Sequence, residues 1–192
     1  MLGTSAPDDP PVTIQEFDAF VERQANGTHW ELVGGSIVGR HRPSTAHEQI
    51  TGNIGAHLKL AADSRGCQAF FGGIRMQRSD NRDALDKPQP DLLVRCGSLL
   101  RSPFVTDPLV VVEVLSPTTM DVDRGDKLRF YKRLPTLLHI VLAYQDQMRI
   151  EHYEKDDRGW NLQPLTSPKD TLDIEALRFS MPLRDAYFGV FP

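Results

Sequence analysis

A carboxylate inside an apolar run is the feature that most constrains how this chain can fold. Glu113 lies within Leu109 to Leu115, where all the remaining residues are valine or leucine. A short run of this kind, rich in β-branched residues, predicts a strand that is buried on both faces. A carboxylate is costly to bury alone, so we expect the fold to place a compensating group beside Glu113.

A second acidic residue stands at the head of a neighbouring apolar run. Asp91 precedes Leu92 to Val94 and follows Pro90. If the two runs pair antiparallel about a loop centre near Ser102, Asp91 and Glu113 stand directly opposite each other. Two like charges across a strand pair repel, so a cation is needed. Taken singly, Asp91 is also typical of a strand entry or a turn.

A divalent metal would compensate this pair of carboxylates. Carboxylate oxygens with open water positions suit Mg²⁺ or Mn²⁺, and the lack of a cysteine ligand argues against zinc. The alternative is a structural ion pair between Glu113 and a lysine.

Lys127 lies on a helix predicted over Asp123 to Leu134. It shares the apolar face of that helix with Phe130, Tyr131 and Leu134, three, four and seven residues further on. We therefore expect Lys127 to point at the sheet, although its long side chain could also reach the surface past Tyr131. Tyr131 itself is interpreted as a core residue. Two acids and a lysine in one pocket suit hydrolysis of a phosphate ester, in which the lysine orients water or stabilises charge.

The amino-terminal part predicts a helix and a hairpin. Thr13 and Glu16 form a capping box that begins a short amphipathic helix. Trp30 to Val33 and Ser36 to Arg40 then flank Gly34-Gly35, a pair that accepts a tight turn.

A longer helix follows, with Thr45 and Glu48 as its predicted capping box and Gly66 at its end. His47 lies three residues before Ile50 and should point inward.

The remaining elements are read from short apolar runs. Cys67 to Arg78 predicts a strand, and Leu137 to Tyr144 with Arg149 to Lys155 predicts a hairpin. Trp160 to Pro192 suggests one more strand and a short terminal helix.

Bulk properties place limits on the class of protein. Met1 to Pro11 predicts a disordered tail, and residues 12–192 a single domain. No segment is apolar enough to span a membrane, and the two cysteines match no paired framework, so a reduced, cytoplasmic setting is expected. The net charge of −4 argues against a protein that coats nucleic acid through a broad positive field.

Several stretches together resemble the Uma2 family of restriction endonucleases, assigned to the PD-(D/E)xK nuclease superfamily. The stretches that carry the resemblance are Trp30 to Gly35, Pro90 to Val94, Val112 to Thr119, and Asp123 to Leu128 with Tyr131. The resemblance implies an α/β fold bordering on α+β, with a restriction-endonuclease-like mixed central sheet flanked by helices.

The resemblance also implies roles for individual residues. Asp91 and Glu113 match metal ligands, and the backbone carbonyl of Val114 matches a third. The superfamily lysine is replaced by Leu115, but Uma2-like proteins carry it on the following helix, where Lys127 stands.

Two further residues match positions near the site. Glu31 matches an acidic residue that reaches the same metal or its water, and His47 matches a position that is frequently polar. Alternatively, Glu31 pairs with an arginine, and His47 caps its helix or fills the core. The chain departs from the family at four positions outside the inferred metal ligands, Gly34, Ser36, His139 and Ala143.

These observations lead to a Mg²⁺-dependent (or Mn²⁺-dependent) endonuclease that hydrolyses DNA. Asp91, Glu113 and Glu31 would hold the metal, and Lys127 would assist the attack of water. The alternative is a catalytically silent binding or scaffold protein with a nuclease fold. A third hypothesis is a hydrolase of another phosphorylated substrate. A homodimer is compatible with the family resemblance.

Overall fold

The computed structural model describes residues 10–24, 29–40, 43–78, 81, 84–117 and 120–191. The predicted tail therefore lies outside the described residues except for Pro10 and Pro11, as do Thr118 and Thr119 of the family-like stretch.

Helices and short strands follow one another along most of the described chain. The helices are α1 (Ile14–Glu22), α2 (Thr45–Ser64), α3 (Met120–Val122), α4 (Leu128–Lys132) and α5 (Leu183–Ala186), with a π-helical turn at Asp123–Lys127 and a 3₁₀ turn at Glu175–Leu177. The strands are β1 (His29–Val33), β2 (Ser36–Arg40), β3 (Cys67–Phe71), β4 (Arg75–Met76), β5 (Leu92–Cys96), β6 (Phe104–Val105), β7 (Pro108–Leu115), β8 (His139–Tyr144), β9 (Ile150–Asp156), β10 (Gly159–Leu165), β11 (Thr171–Ile174) and β12 (Phe179–Pro182).

Six strands form a mixed central sheet in the order β10-β9-β8-β7-β5-β3. Within this sheet β7 and β8 pair in parallel, and the other neighbours are antiparallel. A parallel pair requires a crossover connection, which here runs through α3, the π-helical turn and α4. The predicted fold class is confirmed, and the crossover carries Lys127 over the sheet.

The register of β5 against β7 determines how the two predicted acids meet. Leu92 pairs with Val112, and the next two residues of β5 continue the same register. The predicted pairing about Ser102 is therefore confirmed. Continuing the register by one residue places Asp91 beside Glu113.

β7 is buried on both faces, as predicted. On one face, Val112 belongs to a core cluster with α2, β11, β12 and α5, and α2 contributes Ile50, Ile54 and Leu58. On the other face, Val111 and Leu115 belong to a cluster that includes residues of α4. Since Glu113 alternates with Val112 and Val114, its side chain lies on the α4 face.

The amino-terminal elements bury Glu31 beside the segment that precedes β5. The capping box of Thr13 and Glu16 is confirmed, and Gly34 and Gly35 have positive φ angles of 57° and 78° that permit the tight turn between β1 and β2. α1 packs on this hairpin through a small core of Ile14, Phe17, Leu32 and Ile37. As a result, Glu31 is buried, with 3% of its surface exposed.

Two predicted helices differ from the observed ones. The helix expected over Asp123 to Leu134 is interrupted by the π-helical turn, in which the Leu128 N–H donates to the Asp123 carbonyl five residues earlier. It ends at Lys132. The cap of α2 is Ser44 instead of Thr45, because the Ser44 Oγ accepts the His47 N–H at 3.1 Å.

Two strand predictions were also incomplete. The strand expected over Cys67 to Arg78 ends at Phe71, where Gly72 and Gly73 take positive φ angles of 57° and 69° and turn the chain away. The carboxy-terminal part contains three strands, β10, β11 and β12, before α5, instead of the single strand that was expected.

The interpretation that the two cysteines belong to no paired framework was wrong. Cys67 and Cys96 are direct neighbours in the β3–β5 register and form a disulfide. No spacing rule covers one pair 29 residues apart, so only the strand register could reveal it. The cysteines consequently no longer support the expectation of a reducing compartment. Among the described residues, no helix is both long and apolar enough to cross a membrane.

We expect the disulfide to stabilise the folded chain by about 3.6 kcal/mol, because it closes a loop of roughly 30 residues in the unfolded state. Denaturant unfolding of the oxidised protein, with and without a reductant, measures this difference. The control is the C67S/C96S variant, which should unfold at the same midpoint in both conditions. Identical midpoints for the wild type would contradict the expectation.

Candidate functional site

Lys127 lies at the centre of a cluster of buried acidic side chains. Its Nζ is 2.9 Å from Glu31 Oε2, 3.2 Å from Glu113 Oε1 and 3.0 Å from Asp123 Oδ1. Only 2% of Lys127 is exposed. The structure thus excludes the alternative in which the lysine reaches the surface.

Each carboxylate comes from a different part of the fold. Glu31 comes from β1, Glu113 from β7 and Asp123 from the π-helical turn. The second oxygen of Glu31, Oε1, accepts the backbone N–H of Gln89 at 2.6 Å. Both oxygens of Glu31 therefore have partners, and its closest cation is Lys127 instead of an arginine.

Glu113 is the most deeply buried acid of the cluster, with 1% of its surface exposed. Burial raises the pKa of Glu113 to about 8, the Lys127 ammonium opposes this shift, and the carboxylates of Asp123, Asp91 and Glu31 add to it. Its Oε1 also accepts the Tyr131 hydroxyl at 2.5 Å. Tyr131 is thus both a core residue, as predicted, and a partner of Glu113. The single Lys127 ammonium therefore does not fully compensate the carboxylates around Glu113.

Asp91 is held from two sides. Its Oδ2 accepts the backbone N–H of Val114 at 2.8 Å and lies 3.2 Å from His47 Nε2. The first contact ties Asp91 to β7 and the second to the first turn of α2. His47 points inward as predicted, and its contact with Asp91 connects it to the site.

A cavity of about 670 Å³ opens beside these groups, within the size range of ligand pockets. Its lining includes His47, Phe71, Asp91, Val114, Asp123 and Lys127. Asp91, Asp123 and Lys127 therefore face the cavity, whereas Glu31 and Glu113 are not among the described residues that line it.

The structure brings the sequence-predicted residues together, while their catalytic roles remain predictions. Sequence reasoning gave no role to Asp123. Its position four residues before Lys127 was a usable signal, because residues at that spacing share one side of a helix. The π-helical turn that contains both residues has no comparable sequence signature.

In the part of the chain that the structure describes, no group of three or more histidine, cysteine, aspartate or glutamate side chains is arranged to hold a metal ion. Of the buried acids at this site, Glu31, Glu113 and Asp123 contact Lys127, which compensates part of their charge. Any metal here would thus have few protein ligands.

Comparison with known proteins identifies a family. The model of the Uma2 family, described as "Putative restriction endonuclease", matches residues 14–184. Two proteins of Synechocystis sp., the uncharacterized proteins slr1290 and sll1609, are similar over most of their length. The first is 27% identical and covers 94% of this chain and 94% of its own. The second is 25% identical and covers 83% and 92%.

A solved structure shares the fold. It is described as a "putative nuclease belonging to DUF820" from Anabaena variabilis, and it matches with a TM-score of 0.75 and 16% identity, over 94% of this chain and all of the other. At that identity the likeness establishes the fold alone. The match of the family model over nearly the whole chain carries the assignment, and the chain belongs to the Uma2 family.

Proposed function

We propose that this chain is an endonuclease that hydrolyses the phosphodiester bonds of DNA with the help of Mg²⁺ or Mn²⁺. One observation carries the proposal: Glu113 of β7 contacts the buried Lys127, and Asp91, which directly precedes the adjacent strand β5, lines the same cavity as Lys127. The fold of a nuclease and membership of a family described as restriction endonucleases support it.

The site suits a hard divalent cation. Asp91, Glu113, Glu31 and Asp123 are buried carboxylates, and the Lys127 ammonium contacts three of them. This excess of negative charge would be relieved by a cation. Mg²⁺ commonly keeps several waters and is held by one or two carboxylates together with substrate phosphate, so a large cluster of protein ligands is not required.

Asp91, Glu113 and the carbonyl of Val114 would hold the metal. A metal there would polarise a phosphoryl oxygen and lower the pKa of a bound water. His47 and the Val114 N–H keep the Asp91 carboxylate in place, and the Tyr131 hydroxyl does the same for Glu113.

Lys127 is positioned to stabilise negative charge that develops on the phosphate, or to orient the attacking water. Glu31 and Asp123 hold its ammonium at the wall of the cavity. Glu31 was predicted to be a metal ligand. Since both its oxygens have protein partners, we now propose that it positions Lys127.

The first prediction concerns activity. D91N and K127M should each reduce cleavage of DNA by at least about 100-fold, because each removes a charge that acts on the reacting phosphate. Cleavage of duplex and single-stranded DNA with Mg²⁺ or Mn²⁺ is measured by gel electrophoresis. Both substitutions nearly preserve side-chain volume, and circular dichroism verifies that the variants fold.

A matched control is K169M, in which the substituted lysine is exposed and lies between β10 and β11. This variant should cleave DNA like the wild type. Equal cleavage by the wild type, D91N and K127M would reject the proposed mechanism.

The second prediction concerns metal binding. Calorimetric titration with Mn²⁺ should show binding to the wild type that is lost in E113Q, since Glu113 would be a ligand. E154Q is the control, because the Glu154 side chain is 54% exposed on β9. Mn²⁺ binding that is absent, or unaffected by E113Q, would favour the catalytically silent binding protein.

The third prediction concerns pH. Glu113 has a pKa of about 8 in the folded chain and an ordinary value of 4.5, so protonated Glu113 favours the folded state. This contribution is complete below pH 4.5 and is lost as pH rises through 8. Between pH 6.5 and 9 the metal-free protein should lose about 2 kcal/mol of its free energy of unfolding.

Denaturant unfolding in EDTA at several pH values measures this loss. E113Q has no carboxyl at this position and should lack that part of the pH dependence. The same slope in E113Q and the wild type would show that the pKa of Glu113 is not raised.

A further inference from the structure

Four cationic side chains form a row on the sheet beside the candidate site. We call Arg124, Arg149, Lys132 and Lys155 the cationic track. Each of the four lies over an aromatic ring of the same sheet. Such contacts hold a cation in a defined place while leaving part of it accessible.

The two arginines share one ring and one carboxylate. Their guanidinium carbons lie 6.0 Å (Arg124) and 5.3 Å (Arg149) from the centre of the Tyr144 ring. Both donate to Glu151 Oε1, at 3.2 Å and 2.9 Å. Their side chains remain 46% and 37% exposed, whereas Glu151 is 1% exposed.

Glu151 neutralises only one of these two charges. Its carboxylate also accepts the Tyr144 and Tyr153 hydroxyls, at 2.9 Å and 3.4 Å. Among the described residues, each guanidinium donates one hydrogen bond, to Glu151, although it has five N–H donors. The pair therefore has donors and a net positive charge to offer to an anion.

The two lysines extend the row across the next strands. The Lys132 Nζ lies 4.3 Å from the centre of the Tyr153 ring on β9, and the Lys155 Nζ lies 5.9 Å from that of Trp160 on β10. The Trp160 indole N–H also donates to the Lys132 carbonyl at 3.2 Å. The cationic track thus runs from β8 over β9 to β10.

The track begins next to the candidate site. Tyr144 pairs with Leu115, two residues after Glu113 on the neighbouring strand. With usual strand dimensions, this places the Tyr144 backbone about 8 Å from that of Glu113. Arg124 directly follows Asp123, which contacts Lys127. An extended anion in the cavity could therefore continue onto the track.

A phosphodiester backbone has the matching chemistry. It carries regularly spaced negative charges, and arginine forms paired hydrogen bonds to phosphate oxygens. The chain has a net charge of −4, so its general field repels nucleic acid and a local row of cations is needed to hold it.

We propose that the cationic track binds the phosphodiester backbone of the nucleic-acid strand that leaves the cavity. The inference rests on the proposed function for the nature of the substrate. It adds the surface on which that strand lies and the direction it takes, across β8, β9 and β10.

The test is equilibrium binding of fluorescent single-stranded DNA, duplex DNA and RNA at several salt concentrations. A D91N background in EDTA prevents cleavage. Adding R124Q/R149Q or K132Q/K155Q should each weaken binding. Each pair should also reduce the slope of log affinity against log salt by about 1.5, since each phosphate contact contributes roughly 0.7 to 0.9. The three nucleic acids show which kind of strand the track prefers.

R124Q/R149Q removes both cations from the buried Glu151 and therefore risks destabilising the fold. K132Q/K155Q carries less of that risk, because among the described residues neither lysine contacts a buried carboxylate. The matched control is K169Q/R184Q, which removes two exposed charges from the layer that covers the opposite face and should keep the parent slope. Slopes unchanged in K132Q/K155Q, or lowered equally in the control, would overturn the inference, as would the absence of binding to all three nucleic acids.

The two proposals fail in different ways. Track-dependent binding by a chain that cleaves nothing would leave the inference standing without the nuclease. If the chain cleaves DNA but neither R124Q/R149Q nor K132Q/K155Q changes the KM or the salt slope, the proposed nuclease function would hold and the cationic track would be rejected.

Discussion

The Lys127 ammonium and the carboxylates around it are the interaction on which the rest of the site depends. Burying an ion costs several kcal/mol unless partners compensate, and removal of one partner leaves the others uncompensated. Because Glu31, Glu113 and Asp123 belong to the hairpin, the sheet and the crossover, their contacts with one lysine join three elements at one point. Lys127 also lines a cavity, so the same ion pairs that stabilise the fold are candidates for a catalytic role.

The charges of this chain are segregated in space. Acidic side chains converge in the interior beside the cavity, while the cationic track lies at the surface over β8, β9 and β10. Such an arrangement would reconcile the negative net charge with the proposed nucleic-acid substrate, because short-range contacts at the track would act where the general field is unfavourable. The parallel pair of β7 and β8 underlies both features, since its crossover carries Arg124 and Lys127 in one π-helical turn.

Much of the site followed from residue patterns. The acid in an apolar strand indicated a buried charge, the symmetry of two apolar runs predicted the register of Asp91 with Glu113, and helical spacing predicted that Lys127 points inward. The failures have physical reasons. The contact of Asp123 with Lys127 lies within a π-helical turn, which has no recognised sequence signature, although the spacing of four residues was a usable signal. The Cys67–Cys96 disulfide depends on which strand lies beside β3, and no local stretch of chain determines that.

Residue periodicity by itself determined which strand is buried on both faces, that Glu113 needs a compensating cation, and which side of its helix Lys127 occupies. Only the tertiary structure decided which carboxylates surround that lysine, that the cysteines pair, and that four cations from separate elements form one row. Periodicity describes a side chain relative to its own helix or strand. Distances between elements depend on strand register and on the packing of layers, which arise only when the whole chain has folded.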